Sequence, residues 1–181
     1  MLAIKTKRFL IKKLTLANVN KTYYSWFKDP VVNKNIVTSD SVVKGGIKYL
    51  KLYVSKKINK KNILFLAILT KKKSHIGNIK FEPISIKTNT AIAGILIGSK
   101  KWRGKGVLKE VFPTICKFLQ KCYGISRIEL GAANNNKIAI ISYKKIGFKR
   151  LKSNEARLIK KKKNSNIYVY SNFSNLSKNK T

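Results

Sequence analysis

Acidic side chains are what this sequence has least of. Only 6 Asp and Glu stand against 41 Lys and Arg in 181 residues, so the formal net charge is +35. A field of that sign attracts polyanions, whether nucleotides, RNA or anionic surfaces, and the charge alone does not choose among them. Cysteine is nearly absent. Cys116 and Cys122 share no CxxC spacing, and the one histidine, His75, completes no familiar zinc pattern with them, so two reduced thiols and no metal site are expected. Long apolar runs are missing as well: residues 63–69 and 91–97 have the length of strands, far short of the ~20 residues a membrane span requires. The first residues, MLAIKTKRFLIKK, interleave lysine with apolar side chains and lack the separate basic and apolar regions of a signal peptide, which makes a cytoplasmic protein the expectation.

What is present suits a globular chain. A hydrophobic fraction of 44% excludes wholesale disorder, and no Pro/Gly/Ser-rich linker or internal repeat divides the sequence. One domain over residues 1–173 is expected, followed by a polar tail, 174–181, that should fray. The pattern predicts a strand at 8–14, a helix from the cap Thr15 to Lys28 stopped by Asp29-Pro30, and a helix at 42–57 weakened by Gly45-Gly46. Strands follow at 62–69 and 76–86 around a turn at 71–74, then an apolar strand at Thr90–Ile97 that reads as covered on both faces. Beyond a loop at 98–106, the stripe Leu108, Val111, Phe112, Ile115, Leu119 and Cys122 predicts a helix to Tyr123, kinked at Pro113. A strand at 127–132, a helix at 137–146 closed by Gly147, and a hairpin of strands 148–159 and 167–173 complete the order. The fold class is α/β (α+β), a mixed sheet carrying about four helices.

The loop Gly98-Ser-Lys-Lys-Trp-Arg-Gly-Lys-Gly-Val107 carries the strongest local chemistry. Two glycines one residue apart permit a sharp turn that exposes successive N–H groups, and the helix starting at once adds its unpaired donors and positive dipole end. Lys101, Arg103 and Lys105 add positive charge that reads as mobile. A phosphate or pyrophosphate suits such a place. The Walker pattern fails because Gly106, not Ser or Thr, follows Lys105, and the dinucleotide fingerprint fails because Lys109 stands at its third glycine.

With its downstream context this segment resembles the GNAT acyltransferase superfamily. Lys101-Trp-Arg-Gly104-Lys-Gly106 is similar to that family's [Q/R]xxGx[G/A] motif, with lysine where Gln or Arg is usual. Asn136, Ala139, Tyr143 and Gly147-Phe148 match a second signature, NxxAxxxYxxxGF, one helix and one strand later. Leu14-Thr-Leu through Trp26-Phe-Lys-Asp29-Pro is similar to the opening of the branches that acetylate ribosomal proteins and amino sugars, so the likeness runs from about Arg8 to Phe173.

The resemblance implies a GNAT-like, mostly antiparallel sheet, acetyl-CoA as cofactor and direct transfer to a primary amine. It places the pyrophosphate on the backbone amides of Arg103, Gly104, Lys105, Gly106 and Val107, with Lys101 beside them. It pairs Ile95, Leu96 and Ile97 with the pantetheine arm like an added strand, sets Asn136 against the same arm, and makes Tyr143 the donor to the leaving thiolate. Among the few acids, Asp29 reads as a helix stop, Glu110 as a partner of the helix dipole, and Glu129 and Glu155 as strand residues; Glu82 is nominated as the base. His75, beside a lysine-rich turn, reads as solvated. The expected acceptor is a small anionic amine, an amino-sugar nucleotide, with a protein N-terminus such as a ribosomal protein's as the alternative. From another class, a basic RNA-binding module remains open, though no RNP, KH or zinc-knuckle pattern supports it. The sequence leaves monomer and homodimer equally open.

Overall fold

The computed structural model describes residues 3–36 and 38–173; the tail at 174–181 lies outside the described residues. Among the described residues the chain forms β1 (Ala3–Lys5), β2 (Phe9–Lys13), α1 (Lys21–Phe27), α2 (Pro30–Asn35), α3 (Ser39–Ile58), β3 (Leu64–Thr70), β4 (His75–Ser85), β5 (Thr90–Ile97), α4 (Val107–Tyr123), β6 (Arg127–Ala133), α5 (Lys137–Lys145), β7 (Lys149–Leu151) and β8 (Ser165–Tyr170). The strands join one mixed sheet in the order β1-β2-β3-β4-β5-β6-β8-β7. Neighbours β1/β2, β2/β3, β6/β8 and β7/β8 run antiparallel, whereas β5 and β6 run parallel with α4 as their crossover. The fold class expected from the sequence is the one observed, with five α-helices among the described residues against an expected four or so.

Contacts gather into two compact units. One holds the described residues up to Lys80 together with Ile95–Lys105; the other holds Phe81–Gly94 and the described residues from Gly106 onward. In the first, α1 and α3 cover β3 through Tyr23, Trp26, Phe27, Val42, Leu50 and Val54, with Val19 just before α1, packed with Phe65, Ala67 and Leu69. In the second, the apolar stripe of α4 is buried at Val107, Val111, Phe112, Ile115, Cys116 and Leu119. Phe112 sits 5.3 Å from Phe148 and 5.2 Å from Tyr170 between ring centroids, a three-ring nucleus.

Several boundaries differ from the sequence pattern, each for a local polar reason. The helix expected from Thr15 to Lys28 is broken. Asn18 accepts from the Thr15 amide and hydroxyl at 2.9 and 3.0 Å, closing a 3-10 turn, and Asn20 then caps α1 through the Tyr23 amide. Asp29-Pro30 ends α1 but also starts α2, with Asp29 as N-cap and Pro30 in the first turn. In α3 the chain leaves helical geometry at Gly46, where φ is 65° and ψ −165°. α4, by contrast, runs from Val107 through Pro113 to Tyr123 as one helix. The strand expected at 148–159 stops at Leu151, and Glu155 lies in a 3-10 turn, its carboxylate accepting from the Lys152 amide at 2.9 Å. Residues 157–159 then donate their amides to Glu129 and not to a neighbouring strand. The last strand is Ser165–Tyr170, against an expected 167–173.

Candidate functional site

β5 does not stay covered over its length. Its pairing with β6 runs from Thr90↔Arg127 to Ile92↔Glu129. Past that point Gly94 is exposed, and Ile95, Leu96 and Ile97 are half-exposed. The expectation of a strand hidden on both faces therefore holds only for its first half. A half-exposed strand end is a place where an extended ligand arm can bind.

The loop after β5 is braced by the rest of its own unit. Ser99 donates its amide to the Ile76 carbonyl at 3.1 Å, and a 3-10 turn covers Lys100–Trp102. A Cβ on Gly98 would stand 1.8 Å from the Trp26 ring, so only glycine permits this approach. Gly104 and Gly106 both take φ near 70°, in the left-handed region, and nothing lies within 4 Å of a Cβ built on Gly104. Gly106 is also the N-cap of α4 and has no side chain to cover the helix start. The amides of Val107, Leu108 and Lys109, like those of any first turn, have no intrahelical acceptor. An open, left-handed glycine turn feeding an uncapped helix start fits an anionic pyrophosphate.

Two parts of the expected cradle have other partners. The Arg103 and Lys105 amides donate to the Lys100 and Trp102 carbonyls at 3.2 and 3.3 Å, which leaves Gly104, Gly106 and Val107 as the amides the turn does not use. The Arg103 side chain is not a mobile cation. Its Nε donates to the Ile97 carbonyl at 2.9 Å, Nη2 to the Gly98 carbonyl at 2.8 Å, and Nη1 to Asp29 Oδ2 at 3.0 Å. At the other end of the loop, Arg8 Nη2 donates to the Lys105 carbonyl at 3.0 Å, while its guanidinium lies 4.9 Å from the Phe9 ring centroid. Lys101 and Lys105 are exposed.

Asp29 is the residue the sequence pattern undervalued. Its side chain is 7% exposed; it accepts from the Val31 amide at 2.9 Å and pairs with Arg103, with Lys100 Nζ at 3.6 Å. Burial pushes its carboxyl up, but the Val31 amide and the two cations outweigh that and hold it below the usual carboxylate value. Asp-Pro is a helix-start signature as much as a stop, and that signal was legible.

Asn136 caps α5, its Oδ1 accepting from the Ala139 amide at 3.3 Å, which leaves its N–H pair as the group it can offer a ligand. Tyr143 is buried on α5 with ring centroids 5.8 Å from Phe148 and 6.5 Å from Tyr168, and burial pushes its phenol up to about 12. Glu82 is half-buried near the end of β4. Glu129 is fully buried and fully used: it accepts from Arg127 Nε at 2.8 Å and from the amides of Arg157, Leu158 and Ile159 at 2.9–3.1 Å. His75 is not solvated as expected. Its ring packs 4.8 Å from Trp26 and 5.5 Å from Tyr23, its Nε2 meets Asn78 Oδ1 at 2.8 Å, and burial lowers its pKa. Among the described residues no three His, Cys, Asp or Glu side chains gather as a metal site, and no helix is long and apolar enough to cross a membrane.

Comparison with known proteins bears on this geometry. The family model described as an acetyltransferase (GNAT) domain matches residues 8–149. No curated protein sequence matches significantly. Among solved structures, the chain is similar to a ribosomal alpha-N-protein acetyltransferase in complex with coenzyme A, with a TM-score of 0.80, 11% identity and 96% of this chain and 99% of that one covered. It is also similar to the microcin C7 self-immunity acetyltransferase in complex with acetyl-CoA and AMP, at a TM-score of 0.74 and 17% identity over 91% and 93% of the chains. A chimera of the spermidine N-acetyltransferase of Vibrio cholerae gives 0.73 and 14% over 94% and 98%.

Proposed function

The chain belongs to the GNAT acetyltransferase family, and from that premise we propose that it acetylates the primary amine of a small anionic acceptor, an amino-sugar nucleotide. The acetyl donor of this enzyme is acetyl-CoA, which when bound supplies a thioester. The chain's own groups then have four tasks. The amides of Gly104, Gly106 and Val107, at the start of α4, hold the pyrophosphate. The half-exposed segment Ile95, Leu96 and Ile97, with the Asn136 carboxamide, orients the pantetheine arm. Glu82 receives the proton that the acceptor's ammonium must lose before it attacks. Tyr143 returns a proton to the leaving sulfur, which balances the transfer.

The net charge of +35 is the observation that carries the choice of acceptor. A polyamine would have to enter a field of its own sign, and carboxylates to receive its ammonium groups are scarce. Asp29, Glu129 and Glu155 are already accepting hydrogen bonds from this chain. A nucleotide sugar combines one amine with a diphosphate, so attraction and chemistry agree.

The test is acetyl-CoA consumption with three acceptors at equal concentration: a UDP-linked amino sugar, a peptide with a free N-terminus, and spermidine. Turnover of the nucleotide sugar, with spermidine inert, is expected. Acetylation of the peptide alone would sink the nucleotide-sugar reading and leave the protein N-terminus in its place.

A further inference from the structure

Arg103 looks from its position like a phosphate-attracting cation, one residue before the glycine turn. The geometry points elsewhere. Its fork is spread over three acceptors, the carbonyls of Ile97 and Gly98 and the carboxylate of Asp29, at 2.8–3.0 Å. The two carbonyls belong to the end of β5 and the first residue of the loop. Because a peptide unit is planar and trans, pinning a carbonyl fixes the direction of the N–H across the same bond. Holding the Ile97 and Gly98 carbonyls thus sets the peptide planes at which the strand becomes the loop. Arg8, on the Lys105 carbonyl, fixes the plane that carries the Gly106 N–H in the same way.

Asp29 is what offsets the Arg103 charge and holds this arrangement rigid. It reaches Arg103 from the cap of α2, 74 residues earlier in the chain, and is itself fixed by the Val31 amide. Trp26, one turn before it, presses on Gly98. A single carboxylate therefore ties the α1–α2 corner to the peptide planes of the loop.

We propose that Asp29 and Arg103 are a positioning pair that shapes the pyrophosphate loop through its carbonyls, and that neither acts on the cofactor by its charge. The proposal rests on the loop being the coenzyme A site, and the experiment separates the two claims. Coenzyme A binding to the full chain is measured by titration calorimetry at low salt, with thermal melting of each free protein as a control. If wild type does not bind, the site reading itself fails.

The substitutions give opposite signs under the two views of Arg103. Asp29→Asn keeps the cap on Val31, since Asn caps about as well as Asp, but removes the charge that neutralises Arg103. Were Arg103 a phosphate-attracting cation, Asp29→Asn would tighten coenzyme A binding, and Arg103→Lys would leave it nearly unchanged. For a positioning pair, both weaken it, each on the order of tenfold, because a lysine cannot span three acceptors and an unpaired guanidinium lets the loop relax. The double variant should then lose little more than either single one. KM for acetyl-CoA should rise with kcat nearly preserved, and melting of the free protein should move little. Equal or tighter binding by Asp29→Asn, or wild-type affinity in Arg103→Lys, overturns the proposal, as does a loss in affinity that only tracks a loss of fold.

Discussion

A phenol raised to about 12 by burial keeps its proton throughout the pH range in which an amine acceptor becomes reactive, so Tyr143 is suited to the role of proton donor proposed for it. Replacing Tyr143 with Phe should lower kcat on the order of a hundredfold with coenzyme A affinity held within about twofold, as measured by steady-state rates and direct titration. The same shift has a consequence for stability. Below the ordinary tyrosine value both folded and unfolded states hold the proton, so stability does not vary with pH through this group. As pH rises from there towards 12 only the unfolded chain ionises, and the stability falls. At this scale the sequence is informative where spacing is local: the helix expected at 137–146 and closed by Gly147 is observed as Lys137–Lys145, though its cap Asn136 is a role the sequence pattern did not indicate. The Asp29–Arg103 pair was invisible, because no local pattern records which acid meets which base across 74 residues.

Elements were legible to the extent that their backbone hydrogen bonds follow their own periodicity. β5 and α4 have the bounds that the continuous apolar run and the apolar stripe indicate. The region after β7 did not, because a buried carboxylate competes with the sheet for its amides. Glu129 collects the three N–H groups of residues 157–159 and Arg127. Burial pushes its carboxyl up, but these four donors hold it below its usual value. Its contribution is thus present at neutral pH and is lost as the medium is acidified through and below the ordinary carboxylate range. Glu129→Gln should cost about 3 kcal/mol of stability at neutral pH and flatten the acid side of the stability profile, read from thermal melts across pH. At the loop, Gly98→Ala drives a methyl group into Trp26, so a clear fall in both melting temperature and coenzyme A affinity is expected from the same two assays.

For the molecule as a whole, charge and family answer different questions. The family, carried by residues 8–149, gives the reaction and the donor. The net charge of +35 bears on what approaches. Association of an anionic acceptor with so basic a protein should weaken as ions screen the field: its KM should rise several-fold between roughly 0.05 M and 0.5 M salt while kcat changes little. From β3 onward the order of strands and helices is readable from the sequence, but the short strand β1 and the separate helix α2 are not: three residues carry no clear period, and Asp29-Pro30 reads as a stop.

The central claim, acetyl transfer from acetyl-CoA to an amine, is tested most directly by following thiol release from acetyl-CoA in the presence of a UDP-linked amino sugar. Release that needs both the enzyme and the free amine, and that falls sharply in Tyr143→Phe, is the predicted result. Tight binding of acetyl-CoA with no amine-dependent thiol release, from this acceptor or any other primary amine, would contradict it.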